Sequence, residues 1–175
     1  MKDWGVKTIG ITLGDQAGVG PEVVRAALES GQLPQGFDFK IIGEVVDAVP
    51  GEPSVATSQE ALKALEESVS MLQSGDIQAV VTAPVGKEGL HEVGFDFPGQ
   101  TEFFAQRLSC ESHAMCLTGK NLTVGLVTIH VAIADVPGLL RVDEVVRVGG
   151  LLGDFCKQRG IASMMRFCVC ITTRV

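Results

Sequence analysis

The chain has 175 residues, of which 46% are hydrophobic and 20% are charged, and its formal net charge is −7. These values predict a globular domain with a sizeable core rather than a disordered chain. No basic stripe is present, which excludes nucleic acid and anionic membranes as expected partners. No apolar run approaches the roughly 20 residues that span a bilayer, and no signal peptide is evident, so we expect a cytoplasmic protein.

The first predicted elements are a strand, a glycine-rich turn and a helix. Residues Lys7 to Leu13 are rich in β-branched side chains and predict the strand. The turn Gly14 to Pro21 ends on a proline that suits the first turn of a helix. The spacing of its glycines is equally compatible with a ligand site at the helix N-terminus and with a tight strand-to-helix connection that has no ligand. The glycines match neither the dinucleotide-binding fingerprint nor the Walker loop. Because a carboxylate would repel phosphate, we assign Asp15 a positioning or hydrogen-bonding role.

The next segment predicts a second strand and a long helix. Residues Phe37 to Ile42 form the strand, and Asp47 to Thr57, with two prolines, reads as a loop or sheet edge. Apolar residues recur at helical spacing from Ser58 to Gln73. Ser58 is the candidate N-cap, and Gly75 follows the predicted end of the helix.

A third strand, Ile77 to Val81, is predicted to be compact and buried, and it runs into a turn and a helix start. Lys87 lies in this turn. One interpretation is a solvated surface charge. The other is a partner for phosphate or carboxylate at the mouth of the sheet.

The segment Gly94 to Gln106 contains four of the eight phenylalanines. Thr101 is predicted to cap the helix that follows Pro98 and Gly99. The segment is either a packed aromatic loop or an apolar cleft in which Gln100 and Thr101 offer neutral hydrogen bonds.

An apolar run, Leu122 to Ile129, predicts a buried strand that delivers His130 at its carboxyl end. Ligands of open α/β sheets bind outside such ends. From spacing alone His130 is either a structural histidine or a metal ligand, and one histidine cannot hold a catalytic metal, which takes about three protein ligands. Residues Val142 to Phe155 predict a helix broken at Gly149 and Gly150.

The last residues, Gly160 to Val175, predict one short strand. Five cysteines are present without a C-x-x-C pair, so we expect structural or incidental thiols rather than a zinc or redox site.

Four segments, in this order, resemble the 4-hydroxythreonine-4-phosphate dehydrogenase (PdxA) family of vitamin B6 biosynthesis. They are ITLGDQAGVGPEVV (Ile11 to Val24), VTAPVGKEGL (Val81 to Leu90), GFDFPGQTEFFA (Gly94 to Ala105) and VTIHVAIADVPGLL (Val127 to Leu140). The likeness covers Lys7 to about Ile161 but only the amino-terminal half of a family protein. It therefore predicts a PdxA-like α/β region, residues 1–161, and a divergent tail, residues 162–175, in a truncated or frameshifted chain.

The resemblance implies an α/β fold similar to the isocitrate and isopropylmalate dehydrogenases, in a homodimer. It implies an oxidoreductase that oxidises and decarboxylates the small phosphorylated substrate 4-phosphonooxy-threonine with NAD or NADP. A divalent metal, zinc, magnesium or cobalt, is held by three histidines in the family, and the first falls on His130. The substrate-binding pair falls on Gln100 and Thr101, while Asp15 and Lys87 are further candidates for substrate binding.

Three positions depart from the family pattern. Gln100 replaces a histidine and so cannot transfer a proton or carry a positive charge. Gly86 replaces the usual asparagine before Lys87, and Gln16 replaces a proline. The other metal histidines and most of the cofactor site belong to the half that is not matched. The alternatives to a dehydrogenase are therefore an inactive fragment and a small phosphate-ligand-binding α/β module.

Overall fold

The computed structural model describes residues 7–119 and 122–161. The chain divides into two compact units, Met1–Leu108 and Ser109–Val175, which are described separately. The strand predicted within Gly160 to Val175 falls almost wholly outside the described residues. The predicted boundary between residues 161 and 162 stays a prediction.

The first unit is built on a parallel sheet of three strands, in the order β2-β1-β3. The strands are β1 (Lys7–Thr12), β2 (Phe37–Ile42) and β3 (Ala79–Thr82). In register, Ile11 of β1 pairs with Ile41 on one side and Val81 on the other. The predicted α/β class is therefore confirmed, and the carboxyl ends of all three strands lie at one edge.

Helices cover both faces of this sheet. They are α1 (Gly20–Glu29), α2 (Val55–Ser74), α3 (Lys87–Glu92) and α4 (Gln100–Arg107). On one face, Ile11 of β1 and Leu13, which follows the strand, pack against Val24 of α1. On the other, Ile42 packs with Ala64 of α2. In the described part of the chain, none of the helices combines the length and the apolar character that crossing a bilayer would need.

Two details of this unit differ from expectation. The helix predicted to start after Ser58 starts at Val55, because Ser54 and Thr57 form a reciprocal capping box, and Ser58 is buried inside the helix. Its predicted end is confirmed, since Gly75 adopts the left-handed conformation, with φ of 83°. The third strand is not fully buried: Val81 is 54% exposed, because β3 lies at the edge of the described sheet.

The second unit contains a short hairpin and a long helix. Antiparallel strands β4 (Cys116–Thr118) and β5 (Thr123–Gly125) form the hairpin. A 3₁₀ turn (Ile133–Asp135), α5 (Val136–Leu139) and α6 (Val142–Gln158) follow. A Cβ atom built on Gly125 would touch Val148 and Leu152, so the absence of a side chain lets β5 lie against α6.

Two predictions for the second unit are wrong. The run Leu122 to Ile129 is not a long buried strand, since β5 covers only three of its residues and Leu122 is 70% exposed. An apolar run alone does not distinguish a buried strand from an irregular segment. The helix α6 continues through Gly149 and Gly150, at a cost of about 1 kcal/mol per glycine relative to alanine.

Candidate functional site

Two strand-to-helix turns meet at the carboxyl edge of the sheet. The backbone N–H of Asp15, after β1, donates to the carbonyl of Pro84, after β3, at 2.9 Å. A Cβ atom on Gly14, where φ is 70°, would clash with that same carbonyl oxygen. Glycine is thus required for the close approach of the two turns, one of which carries Asp15 and the other of which leads to Lys87.

The carboxylate of Asp15 is partly buried between these turns. Its Oδ1 atom accepts a hydrogen bond from the N–H of Ala17 at 3.0 Å. Its Oδ2 atom lies 3.1 Å from the point where a Cβ atom of Gly86 would stand. The ion pairs in the described part of the chain all involve other carboxylates. The carboxylate is therefore oriented by the backbone and not neutralised by a described cation.

A third turn is joined to the first by Gln16. Its Nε2 group donates to the carbonyl of Glu44 at 2.6 Å, and its Oε1 atom accepts from the N–H of Val46 at 3.0 Å. The N–H of Glu44 donates in turn to Oε1 of the buried Glu60 at 2.7 Å. Sequence reasoning gave Gln16 little weight. The available signal was that a carboxamide both donates and accepts, which a proline at this position cannot do.

Lys87 is the first residue of α3 and is exposed. The described residues place no carboxylate within ion-pairing distance of its ammonium group. The short helix is held in place by Leu90, which is 1% exposed in the core. Both interpretations of Lys87, solvated charge and anion partner, are compatible with this position.

Gln100 and Thr101 are the first two residues of α4, and both are partly buried. Thr101 is not the N-cap: Gly99 occupies that position, and no side chain caps the helix. Glu102 follows, with its Oε2 atom buried and without a partner among the described residues. The start of α4 thus presents three adjacent polar side chains.

The phenylalanines of this segment pack against one another beneath α4. Phe103 is fully buried, and its ring centroid lies 5.4 Å from those of Phe95 and Phe97 and 5.2 Å from that of Phe104. The guanidinium of Arg107 lies 5.4 Å from the Phe103 centroid. The rings therefore pack together, with Phe103 and Phe104 in a helix rather than in a loop, and this packing anchors the start of α4. Whether Gln100 and Thr101 bind a ligand stays a prediction.

His130 belongs to the second unit and is exposed. It does not end a buried strand, because β5 stops at Gly125 and an irregular segment intervenes. Its φ is 57°, a left-handed conformation that costs a residue with a side chain about 1–2 kcal/mol. Such strain is typical of functional positions, although it identifies no ligand by itself.

The described residues do not fit a complete catalytic metal site. Such a site usually takes about three protein ligands. Within residues 7–119 and 122–161, no group of three or more histidine, cysteine, aspartate or glutamate side chains is placed to hold an ion. His130 alone does not meet this requirement, so we derive no reaction step through a metal.

Comparison with known proteins gives a consistent result. The model of the family described as "Pyridoxal phosphate biosynthetic protein PdxA" matches residues 20–170. The 4-hydroxythreonine-4-phosphate dehydrogenase of Zymomonas mobilis is 33% identical over 75% of this chain and 50% of its own length. That of Desulfosudis oleivorans is 32% identical, over 86% of this chain and 57% of its own length.

A solved structure agrees with these matches. The crystal structure of a 4-hydroxythreonine-4-phosphate dehydrogenase from Burkholderia phymatum is 27% identical with a TM-score of 0.69, covering 89% of this chain and 60% of that one. The predicted fold class is confirmed by this likeness. The chain spans about half the length of the curated relatives it matches.

Proposed function

The chain belongs to the PdxA family of pyridoxal phosphate biosynthetic proteins, and from that membership we propose that it serves the oxidation of 4-hydroxythreonine 4-phosphate. The relatives named above carry this activity in their names. Family proteins of this kind are oxidoreductases of vitamin B6 biosynthesis. The proposal includes a nicotinamide cofactor, NAD or NADP, and a homodimeric assembly.

The observation that carries the proposal is the convergence of two glycine-containing turns at the carboxyl edge of the sheet, joined by the hydrogen bond from Asp15 to Pro84. Ligands of open α/β sheets bind outside this edge. Lys87 follows the second turn, exposed and free of ion pairs with described residues. Its ammonium group supplies the positive charge that a phosphate needs on a chain of net charge −7.

The remaining substrate contacts in this proposal come from the start of α4. The Gln100 amide and the Thr101 hydroxyl each donate and accept hydrogen bonds without carrying charge. They therefore orient hydroxyl or phosphate oxygens, and Gln100 does not transfer a proton. Packing of Phe103 beneath them fixes the backbone that presents both side chains.

His130 is proposed as one ligand of a divalent metal, zinc, magnesium or cobalt. Its side chain is exposed and its backbone adopts the left-handed conformation, which supports a role outside the core. Further ligands would have to come from residues outside the described part of the chain, since the described residues supply no set of three.

A second candidate function is phosphate-ligand binding without dehydrogenation. It is favoured by the division of the chain, because Asp15, Lys87, Gln100 and Thr101 all belong to the first unit whereas His130 belongs to the second. The first unit therefore carries the proposed substrate contacts without the proposed metal ligand.

Measuring NADH formation separates these two functions. The chain is incubated with 4-hydroxythreonine 4-phosphate, NAD and, in parallel, zinc, magnesium or cobalt. Turnover that is lost in His130→Ala supports the dehydrogenase. Substrate binding by calorimetry without turnover under any of these conditions supports the binding module. Absence of both binding and turnover contradicts both proposals.

A further inference from the structure

We propose that Arg107, the last residue of α4, is a positioning residue for the polar side chains at the start of that helix. Its guanidinium joins α4 both to α2 and to the aromatic residue that precedes the helix. These contacts fix the turn that presents Gln100 and Thr101. The role rests on the proposed function, in which those two side chains contact the substrate, and Arg107 itself contacts no ligand.

The guanidinium of Arg107 makes a bidentate ion pair with Glu66 of α2. Nη2 donates to Oε1 at 2.6 Å, while Nε donates to Oε1 at 3.0 Å and to Oε2 at 3.1 Å. The planar fork of an arginine gives this contact a fixed direction, which a lysine ammonium group does not provide. Two turns further along α2, the Gln73 amide donates to the carbonyl of Arg107 at 3.0 Å. The helix α2 therefore holds both the side chain and the backbone of Arg107.

The same guanidinium lies over two aromatic rings. It is 5.5 Å from the ring centroid of Phe97 and 5.4 Å from that of Phe103. Phe103 lies one turn earlier in α4, whereas Phe97 precedes the helix and its N-cap Gly99. Because helical side chains lean toward the amino end, the last residue of a two-turn helix can reach the segment before its first residue. Arg107 thus restrains the chain where it enters α4.

The first turn of α4 depends on such contacts because it lacks a side-chain cap. Gly99 occupies the N-cap position, and the N–H of Phe103 donates to its carbonyl at 3.2 Å. The first N–H groups of a helix have no partner within the helix, so an uncapped end opens easily. Gln100 and Thr101 lie in this turn. Since hydrogen bonds are directional, a turn that moves presents both side chains less accurately.

Charge alone does not account for this arrangement. The side chains of Arg107 and Glu66 are 42% and 41% exposed, and exposed ion pairs contribute little to the stability of a whole unit. The fork and the two rings instead restrict one helix. Arg107 is therefore expected to act locally, on α4, whereas an ordinary surface ion pair would act on the first unit as a whole or not at all.

Three variants of the 175-residue chain separate these roles. Arg107→Lys keeps the positive charge and loses the bidentate contact, Glu66→Gln removes the charged partner on α2, and the third variant combines both substitutions. Arg147→Lys is the matched control, because Nη2 of Arg147 also donates to a carboxylate, that of Glu144, at 2.7 Å in the second unit.

Native-state hydrogen exchange and isothermal titration calorimetry provide the two measurements. Exchange is followed at the Phe103 amide, in the first turn of α4, and at the Leu90 amide, which donates to the carbonyl of Gly86 at 3.0 Å in α3. Calorimetry measures the affinity for 4-hydroxythreonine 4-phosphate. In Arg107→Lys and Glu66→Gln we expect the protection of the Phe103 amide to fall roughly 3- to 30-fold, while that of Leu90 is unchanged.

The affinity should fall in the same two variants, because ligand binding must then order the turn that Arg107 orders in wild type. We expect a loss of roughly 3- to 30-fold, even though Arg107→Lys leaves the net charge unchanged. The double variant should lose less affinity than the two single variants combined, because Glu66 acts through Arg107. Arg147→Lys should change neither measurement.

Three results would overturn the positioning role while leaving the proposed function intact. These are unchanged protection of the Phe103 amide in Arg107→Lys, an equal loss of protection at Leu90, and wild-type affinity in both single variants. Failure of the wild-type chain to bind 4-hydroxythreonine 4-phosphate at all would instead remove the proposed function, and the positioning role with it.

Discussion

Replacing Gln16 by alanine removes the only side chain described as joining the turns after β1 and β2. Its amide makes two hydrogen bonds, to the carbonyl of Glu44 at 2.6 Å and from the N–H of Val46 at 3.0 Å. Each bond contributes roughly 0.5–1.5 kcal/mol net, so the loss of both costs about 1–3 kcal/mol. This energy corresponds to a roughly 5- to 150-fold fall in the protection of the Val46 amide against hydrogen exchange.

Native-state hydrogen exchange followed by NMR measures this effect residue by residue. The amide of Gln78 donates to the carbonyl of Thr8 at 2.9 Å, near the opposite edge of the sheet, and its protection should not change. Gln35→Ala is the control variant, because that exposed glutamine has no side-chain hydrogen bond to a described residue. Unchanged protection of Val46 in Gln16→Ala would refute the reasoning.

A second substitution separates the two halves of the amide. Gln16→Glu keeps an acceptor for the Val46 N–H but loses the donor to Glu44, and at neutral pH it sets a charged oxygen against that carbonyl. We expect the turn to be destabilised at least as much as in Gln16→Ala. Full protection of Val46 in Gln16→Glu would show that the donated bond contributes nothing.

Three further predictions concern packing and pH. Phe103→Ala, at a fully buried ring, should lower the free energy of unfolding by about 3–5 kcal/mol in urea denaturation; a loss near zero would contradict the aromatic anchor. Gly89→Ala would place a Cβ atom against Oγ of Ser58 and should lower the free energy of unfolding by about 1–3 kcal/mol. The double variant with Ser58→Ala should regain this stability, whereas additive losses in the double variant would exclude the contact. A hydrogen bond from Arg147 lowers the pKa of Glu144 in the folded protein. The Glu144 carboxylate therefore stabilises the fold at pH values above its pKa in the unfolded chain, and this stabilisation is lost as the pH falls through its pKa in the folded protein. The stability difference between wild type and Glu144→Gln should therefore be constant above about pH 5 and shrink below about pH 4, and a difference independent of pH would refute the assignment.

Local chemistry made much of the first unit predictable. The strand ending before Gly14, the proline at the start of α1 and the left-handed glycine after α2 are each determined by residues close in sequence. These features needed no knowledge of tertiary contacts.

The missed features depend on distant partners or on competing local signals. Gln16 acts on residues 28 and 30 positions away, so its double hydrogen bond could not be read from the adjacent sequence. Ser54 stands in a loop with two prolines, where a capping box completed by threonine rather than glutamate was overlooked. The segment before His130 was wrongly predicted to be a buried strand, because an apolar run does not show which strand, if any, it pairs with.

The most direct test of the proposed substrate site is calorimetric titration of the chain with 4-hydroxythreonine 4-phosphate in wild type, Lys87→Ala and Lys7→Ala. Lys7 is an exposed lysine at the opposite edge of the sheet and serves as the matched control. We predict binding in wild type and Lys7→Ala, with a roughly 10- to 100-fold loss in Lys87→Ala. Equal affinity in wild type and Lys87→Ala, or no binding by wild type, would contradict the account.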